Sequence, residues 1–586
     1  MPTEFLLASV GAGKTEVVQA RLLAFKKARP FDKAWCLLAT ERQIYAFRQR
    51  LIQRPDALGI YFNVEFFNFY PLYRHILDLA GKPQRVLDNA ARYRLLRLIL
   101  AELENDGELE LFGGIAGTPG LVRILADFIY ELKQNLIDHR TFGSAAQTAK
   151  DRDLARIYTR YQELLMRYDL VDREGEGWRA LDEVEDNHYL ARDVGLLAVD
   201  GYDQFNKLQG QFLTLLAGRA EDTLITLTTV PGREETIGKR FQRALDRLID
   251  YHREESVVYR INRPLETGSN RPPALRNLVD RIFQSGAARV PASRAALLLE
   301  APEPAGEVSV ALRRVKALIL AGAAPDDILI AVRDWPRYAA YVESQARAYG
   351  LAVSLDIGGS LAENAAIRAL INLLDLYRHD FRRRELLDTL RSAYFIVPGI
   401  GAAEVDLLER LSQLKLVLGG RHEWLGALEH AQTAALEDED GETLAGDLSD
   451  TVSPDELHTA LTAFFDAVTP PMHETVAAYA AWLEDLIGLD PVDDTDDEES
   501  AEHSAAYSLN MIAAIRNPAL DAAHDRIVAR DLTALQEVKR LLCAMLSAHR
   551  LFAALEMTGA LGWDAFYGEL LNAIKGGDLS QRAGRD

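Results

Sequence analysis

Ala8-Ser9-Val10-Gly11-Ala12-Gly13-Lys14-Thr15 is the stretch that decides how this 586-residue chain is read. Before it lies the apolar run Phe5-Leu6-Leu7-Ala8. After it apolar residues recur at Val17, Val18, Leu22, Leu23 and Phe25, the spacing of a buried helix face. Strand, glycine-bearing turn and helix in that order make a phosphate-binding loop. Gly11 and Gly13 let the backbone bend so that its N–H groups, including those of Ser9, Val10 and Ala12, turn inward toward an anion at a helix N-terminus. Lys14 is placed to reach the β- and γ-phosphates of a nucleotide, and the Thr15 hydroxyl to ligate Mg²⁺. Ala8 stands where the first glycine of such a loop usually is, and as the last residue of a strand it needs no special backbone conformation. ATP with Mg²⁺ is the expected cofactor.

Such a loop works with a second strand that ends in a metal-associated carboxylate. Leu196-Leu197-Ala198-Val199-Asp200 supplies it, so Thr15 and Asp200 are the expected Mg²⁺ residues. A fast ATPase would next place a glutamate to activate water as a general base. Here Gly201 follows, then Tyr202 and Asp203. Glycine cannot take a proton. Nucleotide binding is therefore expected without rapid hydrolysis, and no residue is expected to be catalytic.

Outward from these two strands, Trp35 to Leu38 reads as another buried strand, followed by a helix through Ile44, Phe47 and Leu51. Alternating strands and helices give a parallel sheet covered on both faces. From about Val86 to Leu190 the periodicity is purely helical, and strands return at Gly195–Val199 and Thr223–Thr228. A second α/β pattern starts near Leu297. It has helices over 307–320 and 338–349, and strands at Ile328–Val332 and Leu351–Leu355. Beyond about Phe395 only amphipathic helices remain. The expected architecture is α/β, with two P-loop-type domains carrying large all-helical insertions. The expected boundaries are 1–84 with 190–290 for the first domain, 85–189 for its insertion, 291–395 for an incomplete second domain, and 396–586 for a helical region with acidic loops.

At these residues a resemblance becomes visible. The loop at 8–15 resembles that of UvrD-like superfamily 1 helicases, and Leu197-Ala198-Val199-Asp200-Gly201-Tyr202-Asp203-Gln204-Phe205 looks like the AddB-type subunits of ATP-dependent helicase–nucleases. Ala39-Thr40-Glu41-Arg42-Gln43 and Phe66-Phe67-Asn68-Phe69 are similar to two of that family's DNA-facing segments. The stretch ending in Val332-Arg333, and Leu361-Ala362-Glu363-Asn364, are similar to segments of its second motor domain. The resemblance implies two RecA-like domains and contacts from Thr40, Arg42, Phe67, Asn68 and Arg333 to single-stranded DNA or a duplex end. It also implies a motor–nuclease partner subunit and a role in double-strand-break repair and recombination. Phe67 reads equally well as a core aromatic. Family members are far longer and end in a nuclease of the PD-(D/E)XK type, so this chain is expected to be an N-terminal portion. Glu537-Val538-Lys539 sits in helical periodicity and is not expected to be nucleolytic. An active ATP-driven translocase is the alternative, and a small-molecule phosphotransferase the third.

Composition sets the outer limits. With 48% apolar and 26% charged residues the chain is an ordinary globular one, neither fibrous nor disordered. Two cysteines, Cys36 and Cys543, are too few for a disulfide framework or a zinc ribbon, and the 12 histidines form no His-Glu-x-x-His. No apolar run reaches the ~18 residues of a membrane span, so a cytoplasmic protein without a leader is expected. The net charge of −22 is concentrated. Residues 437–456 and 484–502 hold 19 carboxylates and no Lys or Arg, and read as solvated loops. Residues 21–54 carry nine basic residues against Asp32 and Glu41, a local excess of 7 that favours an anionic polymer there. Two weaker patterns are Arg382-Arg383-Arg384, read as a solvated helix start, and Asn270-Arg271-Pro272, loosely like a γ-phosphate-sensing arginine. Asn206-Lys207 resembles a guanine-reading motif, but Gln209 stands where its aspartate belongs.

Overall fold

The computed structural model describes residues 2–263, 272–291, 295–353, 360–433, 452–472, 474–488, 509, 511–516, 525–557 and 561–577. Asn270, Arg271 and most of the two acidic runs lie outside the described residues. The chain divides into two units, Met1–Leu298 and Leu299–Asp586.

The first unit is built on one parallel sheet of six strands in the order β3-β2-β4-β5-β1-β6. These are β1 (Thr3–Ala8), β2 (Lys33–Leu38), β3 (Val64–Phe67), β4 (Val194–Asp200), β5 (Asp222–Thr228) and β6 (Tyr259–Asn262). The four inner strands are buried on both faces, which is why they read as unbroken apolar runs. Alternate side chains enter opposite cores. Leu6, Cys36, Leu196 and Leu224 pack beneath α1 (Lys14–Ala28) and α2 (Glu41–Gln53). Phe5, Trp35, Leu197 and Ile225 pack on the other face, with α3 (Phe69–Leu79), α8 (Arg173–Asp186), α9 (Lys207–Arg219) and α10 (Lys239–Glu254).

Between β3 and β4 the chain also runs through α4 (Asn89–Asn105), α5 (Pro119–Gln134), α6 (His139–Ala145) and α7 (Ala149–Arg167). Its entry and exit are pinned together where Leu87 donates to the Val171 carbonyl at 2.8 Å and Val171 to that of Arg85 at 3.1 Å. A buried Lys133–Asp172 ion pair at 2.7 Å, joined by the Tyr161 hydroxyl at 3.0 Å, locks α5 and α7 to the start of α8. Next to it, burial and the charge of Asp172 push the Glu174 carboxyl up to about 7.

The regular elements of the second unit are all helices among its described residues. α12 (Pro304–Leu320) and α13 (Trp335–Ala348) share a small core of Val308, Leu312, Val342 and Ala346. Asn364 caps α14 (Ala365–Arg378) and donates to buried Asp531 at 2.9 Å. The strand expected at Ile328–Val332 is an extended segment without strand pairing, and Leu351 to Val353 form no strand either. Leu329 is 82% exposed. An apolar pentapeptide becomes a buried strand only when a neighbouring strand takes up its backbone hydrogen bonds. Glu537 and Lys539 lie in the helix Asp525–Ala554, and no helix among the described residues is long and apolar enough to cross a membrane.

Candidate nucleotide site and the strand ends beside it

β1 stops at Ala8, and the loop that follows turns on two residues in the left-handed region, Gly11 at φ 76° and Gly13 at φ 86°. Only glycine adopts that conformation at little cost. Gly13 is the N-cap of α1 and offers no side chain to its first turn, so the leading N–H groups of the helix are left for an anion. The Lys14 ammonium lies back across the loop, donating to the carbonyls of Ala8 at 3.1 Å and Ser9 at 3.0 Å. Thr15 Oγ1 donates to Asp200 Oδ2 at 2.6 Å across 185 residues of sequence. The other carboxylate oxygen of Asp200 accepts from Thr226 Oγ1 on β5. Asp200 is thus buried and doubly held at the end of β4. Among the residues of the expected site, the fold brings the loop Ser9–Thr15 and Asp200 together. Thr226 is an addition no motif signalled, since a threonine inside an apolar strand looks like packing.

These groups fit a magnesium nucleotide: an uncapped helix N-terminus and glycine cradle for phosphate, an ammonium within reach, and a hydroxyl–carboxylate pair of the hard oxygen type that Mg²⁺ prefers. An apolar cavity of about 480 Å³ opens beside Ser9 and Val10, walled by Thr229, Pro231, Phe241, Leu278 and Ile282.

The end of β4 differs from this. Gly201 has φ 83°, and a Cβ built on it would lie 2.7 Å from Oε1 and 3.2 Å from Nε2 of Gln43. The Tyr202 hydroxyl donates to the Leu38 carbonyl at 2.9 Å, tying the loop to the end of β2, and burial pushes that phenol further above its ordinary value. Asn206 and Gln209 form a capping box at the start of α9, which explains the Asn-Lys pair there without a base-reading role.

The residues expected to face DNA are placed as follows. Thr40 caps α2 by accepting from the Gln43 N–H at 3.2 Å. Asn68 caps α3, and its amide donates to Glu41 Oε1 at 2.8 Å. Both side chains therefore already hold a helix start. Phe67 is half-buried, edge-on to Trp35 with ring centres 5.8 Å apart and against His75 at 5.1 Å. Arg42 is exposed on α2. Arg333 is exposed in the second unit, beside a cavity of about 560 Å³ between α12 and α13. What sequence reading missed is Tyr45, 66% exposed on the same side of α2 as Arg42 and Arg48. Part of the local positive excess is met by carboxylates. Arg21 pairs with Glu4 and Asp222, Arg29 with Glu221, Lys33 with Asp193 and Arg54 with Asp56, while Lys26 is buried.

Residues 5–277 match the family described as ADDB, N-terminal. An ATP-dependent helicase/deoxyribonuclease subunit of Moorella thermoacetica is 26% identical over 253 residues, covering 39% of this chain and 21% of that protein. A protein of the same name from Heliobacterium modesticaldum is 22% identical over 436 residues, covering 70% of this chain and 35% of that protein. The matched part of the chain spans between about a fifth and a third of the length of these relatives. Over residues 5–277, just under half of its length, the chain is thus similar to the AddB N-terminal family.

Proposed function

We propose that this chain is the ATP-binding, DNA-engaging, helicase-like part of a helicase–nuclease subunit in double-strand-break repair, and that it holds nucleotide without turning it over quickly. The observation that carries the first half is the 2.6 Å contact between Thr15 and Asp200, which joins the phosphate loop to the carboxylate at the end of a distant strand. Ser9 to Thr15 hold the phosphates, Lys14 neutralises their charge, and the cavity beside Val10 has room for the base and ribose. Mg²⁺, held by Thr15 and Asp200, would draw negative charge from the phosphate oxygens. What supports slow turnover is Gly201, which presents no group able to accept a proton.

The names of the two relatives, each a subunit of an ATP-dependent helicase/deoxyribonuclease, support ATP use, a DNA substrate and a partner chain. The order helix, extended segment, helix over α12, 328–332 and α13 supports a second, incomplete RecA-like domain in 291–395. DNA engagement is proposed for the strand-end face bearing Thr40, Arg42 and Asn68, with Phe67 and Arg333 as further contacts.

Calorimetric titration with Mg²⁺–ATP tests the site. Lys14→Ala removes a charge-assisted contact of about 1.5–3 kcal/mol. Affinity should therefore fall roughly 10- to 150-fold. Equal affinity in wild type and variant overturns the assignment.

A further inference from the structure

The space that a side chain at position 201 would occupy is not empty. The carboxamide of Gln43, from the first turn of α2, fills it, with Oε1, Cδ and Nε2 at 2.7, 3.1 and 3.2 Å from where a Cβ on Gly201 would stand. The amide is held there. Oε1 accepts from the Ala39 N–H at 3.1 Å, and the residue's own N–H is fixed by the Thr40 cap at 3.2 Å. Nε2 has no hydrogen-bond partner among the described residues. It is a donor placed one residue beyond Asp200, whose carboxylate already reaches the phosphate-loop hydroxyl of Thr15.

We infer that Gln43 stands in for the side chain missing at 201, as a positioning residue that donates from Nε2 to the terminal phosphate of a bound nucleoside triphosphate. This rests on the nucleotide reading above and deepens it. A carboxamide has no proton-accepting power near neutral pH, so it does not restore a general base. It can orient a phosphate oxygen or the water in front of it, which a glutamine side chain does in some other phosphate-loop proteins. Because Gln43 sits in the first turn of α2, a contact from Nε2 would also transmit the presence of the terminal phosphate to Thr40 and Arg42. A diphosphate lacks the group that Nε2 would meet. Gln43 would therefore distinguish triphosphate from diphosphate, the one discrimination that a phosphate loop alone supplies poorly.

The experiment is calorimetry on the full 586-residue chain with Mg²⁺–ADP and a non-hydrolysable Mg²⁺–ATP analogue. The proteins are wild type, Gln43→Ala, Gln43→Glu, Gly201→Ala and Lys14→Ala, with a thermal melt of each. Gln43→Ala should weaken the triphosphate analogue roughly tenfold, the scale of one hydrogen bond to a charged group, and leave ADP within about twofold. Gln43→Glu keeps an acceptor for the Ala39 N–H but loses the donor and adds a negative charge, so it should lose at least as much. A merely structural Gln43 would be rescued by Glu. Gly201→Ala, whose Cβ displaces the amide, should show the same selective loss. An unchanged ratio of the two affinities in Gln43→Ala and Gln43→Glu overturns the inference, while the Lys14→Ala result leaves the nucleotide site standing. Wild type that binds neither nucleotide removes that reading and this one with it.

Discussion

The ends of β1 and β4 lie in the same sheet, two strands apart, and are built to opposite specifications. At β1 the loop keeps every part that phosphate binding needs: two left-handed glycines, an uncapped helix start, Lys14 and Thr15. At β4 Asp200 is retained and held by Thr15 and Thr226, but the next residue is a glycine in a conformation closed to most side chains. On the function proposed above, the difference teaches that holding a nucleotide and cleaving it are separable: the first would depend on backbone curvature at one strand end, and the second on a single side chain at another.

The sharpest way to break that comparison is a steady-state ATPase assay with saturating single-stranded DNA. Absence of a positioned base typically costs ~10²–10⁴ in rate, so a motor working on the order of 100 s⁻¹ would fall to roughly 0.01–1 s⁻¹. Turnover of many molecules per second that disappears in Asp200→Ala would show that another group does the work of the missing glutamate. A second test asks whether the β4 end can simply be repaired. Gly201→Glu must take a left-handed conformation, at about 1–2 kcal/mol. It must also displace the Gln43 amide, which adds about 1–2 kcal/mol more. We expect a lower melting temperature, corresponding to about 2–4 kcal/mol, and no gain in turnover. A variant as stable as wild type that hydrolyses ATP faster would collapse the distinction between the two strand ends.

The comparison can be sharpened on the DNA side, where α2 begins next to the Gly201 loop. Tyr45 is exposed between Arg42 and Arg48, whereas Phe67 leans on Trp35 and His75. A base stacked on an exposed aromatic is worth about 1–3 kcal/mol. Tyr45→Ala should weaken single-strand affinity by that amount and leave the melting temperature unchanged. Phe67→Ala should lower the melting temperature as well. The reverse pattern, read by fluorescence anisotropy and thermal melts, would return the stacking role to Phe67.

What could be read beforehand follows from where a residue's partners sit. β1, β2, β4 and β5 are sandwiched between two helical layers, so their character is written in consecutive apolar residues. β3 and β6 are four-residue edge strands, half-buried or exposed, too short for a run or an alternation to set them apart from loop sequence. The phosphate loop was legible because its chemistry is local. The Gln43–Gly201 contact joins residues from different strand ends and exists only in three dimensions, as does the Thr226–Asp200 bond. Charge counting is incomplete for the same reason. Arg21, Arg29 and Lys33 of segment 21–54 meet Glu4, Asp193, Glu221 and Asp222, which are remote in sequence and adjacent in the sheet.

The smallest effect we predict concerns what anchors the binding half. Glu4, near the start of β1, is buried and accepts from Arg21 of α1 at 2.7 Å and from Arg260 and Asn262 of β6 at 2.6 and 2.7 Å. Burial alone would raise its pKa, but the hydrogen bonds from Asn262, Arg260 and Arg21 prevail and hold the carboxyl at about 2, below the ordinary 4.5. A carboxylate whose folded-state pKa is depressed contributes stability that is complete above its unfolded value and is lost as the pH falls through the folded one. The contribution of Glu4 should thus be intact above about pH 4.5 and fade toward pH 2. Its size should be on the order of 1–2 kcal/mol, because Arg260 is largely exposed and shares its charge with water. Glu4→Gln keeps the shape and an acceptor oxygen but cannot titrate. Denaturant melts at about pH 6 and about pH 3.5 should show the variant less stable than wild type at the higher pH, with the gap narrowing at the lower one. A gap of constant size would mean that the carboxylate charge plays no part in holding β1 to its edge strand and to α1.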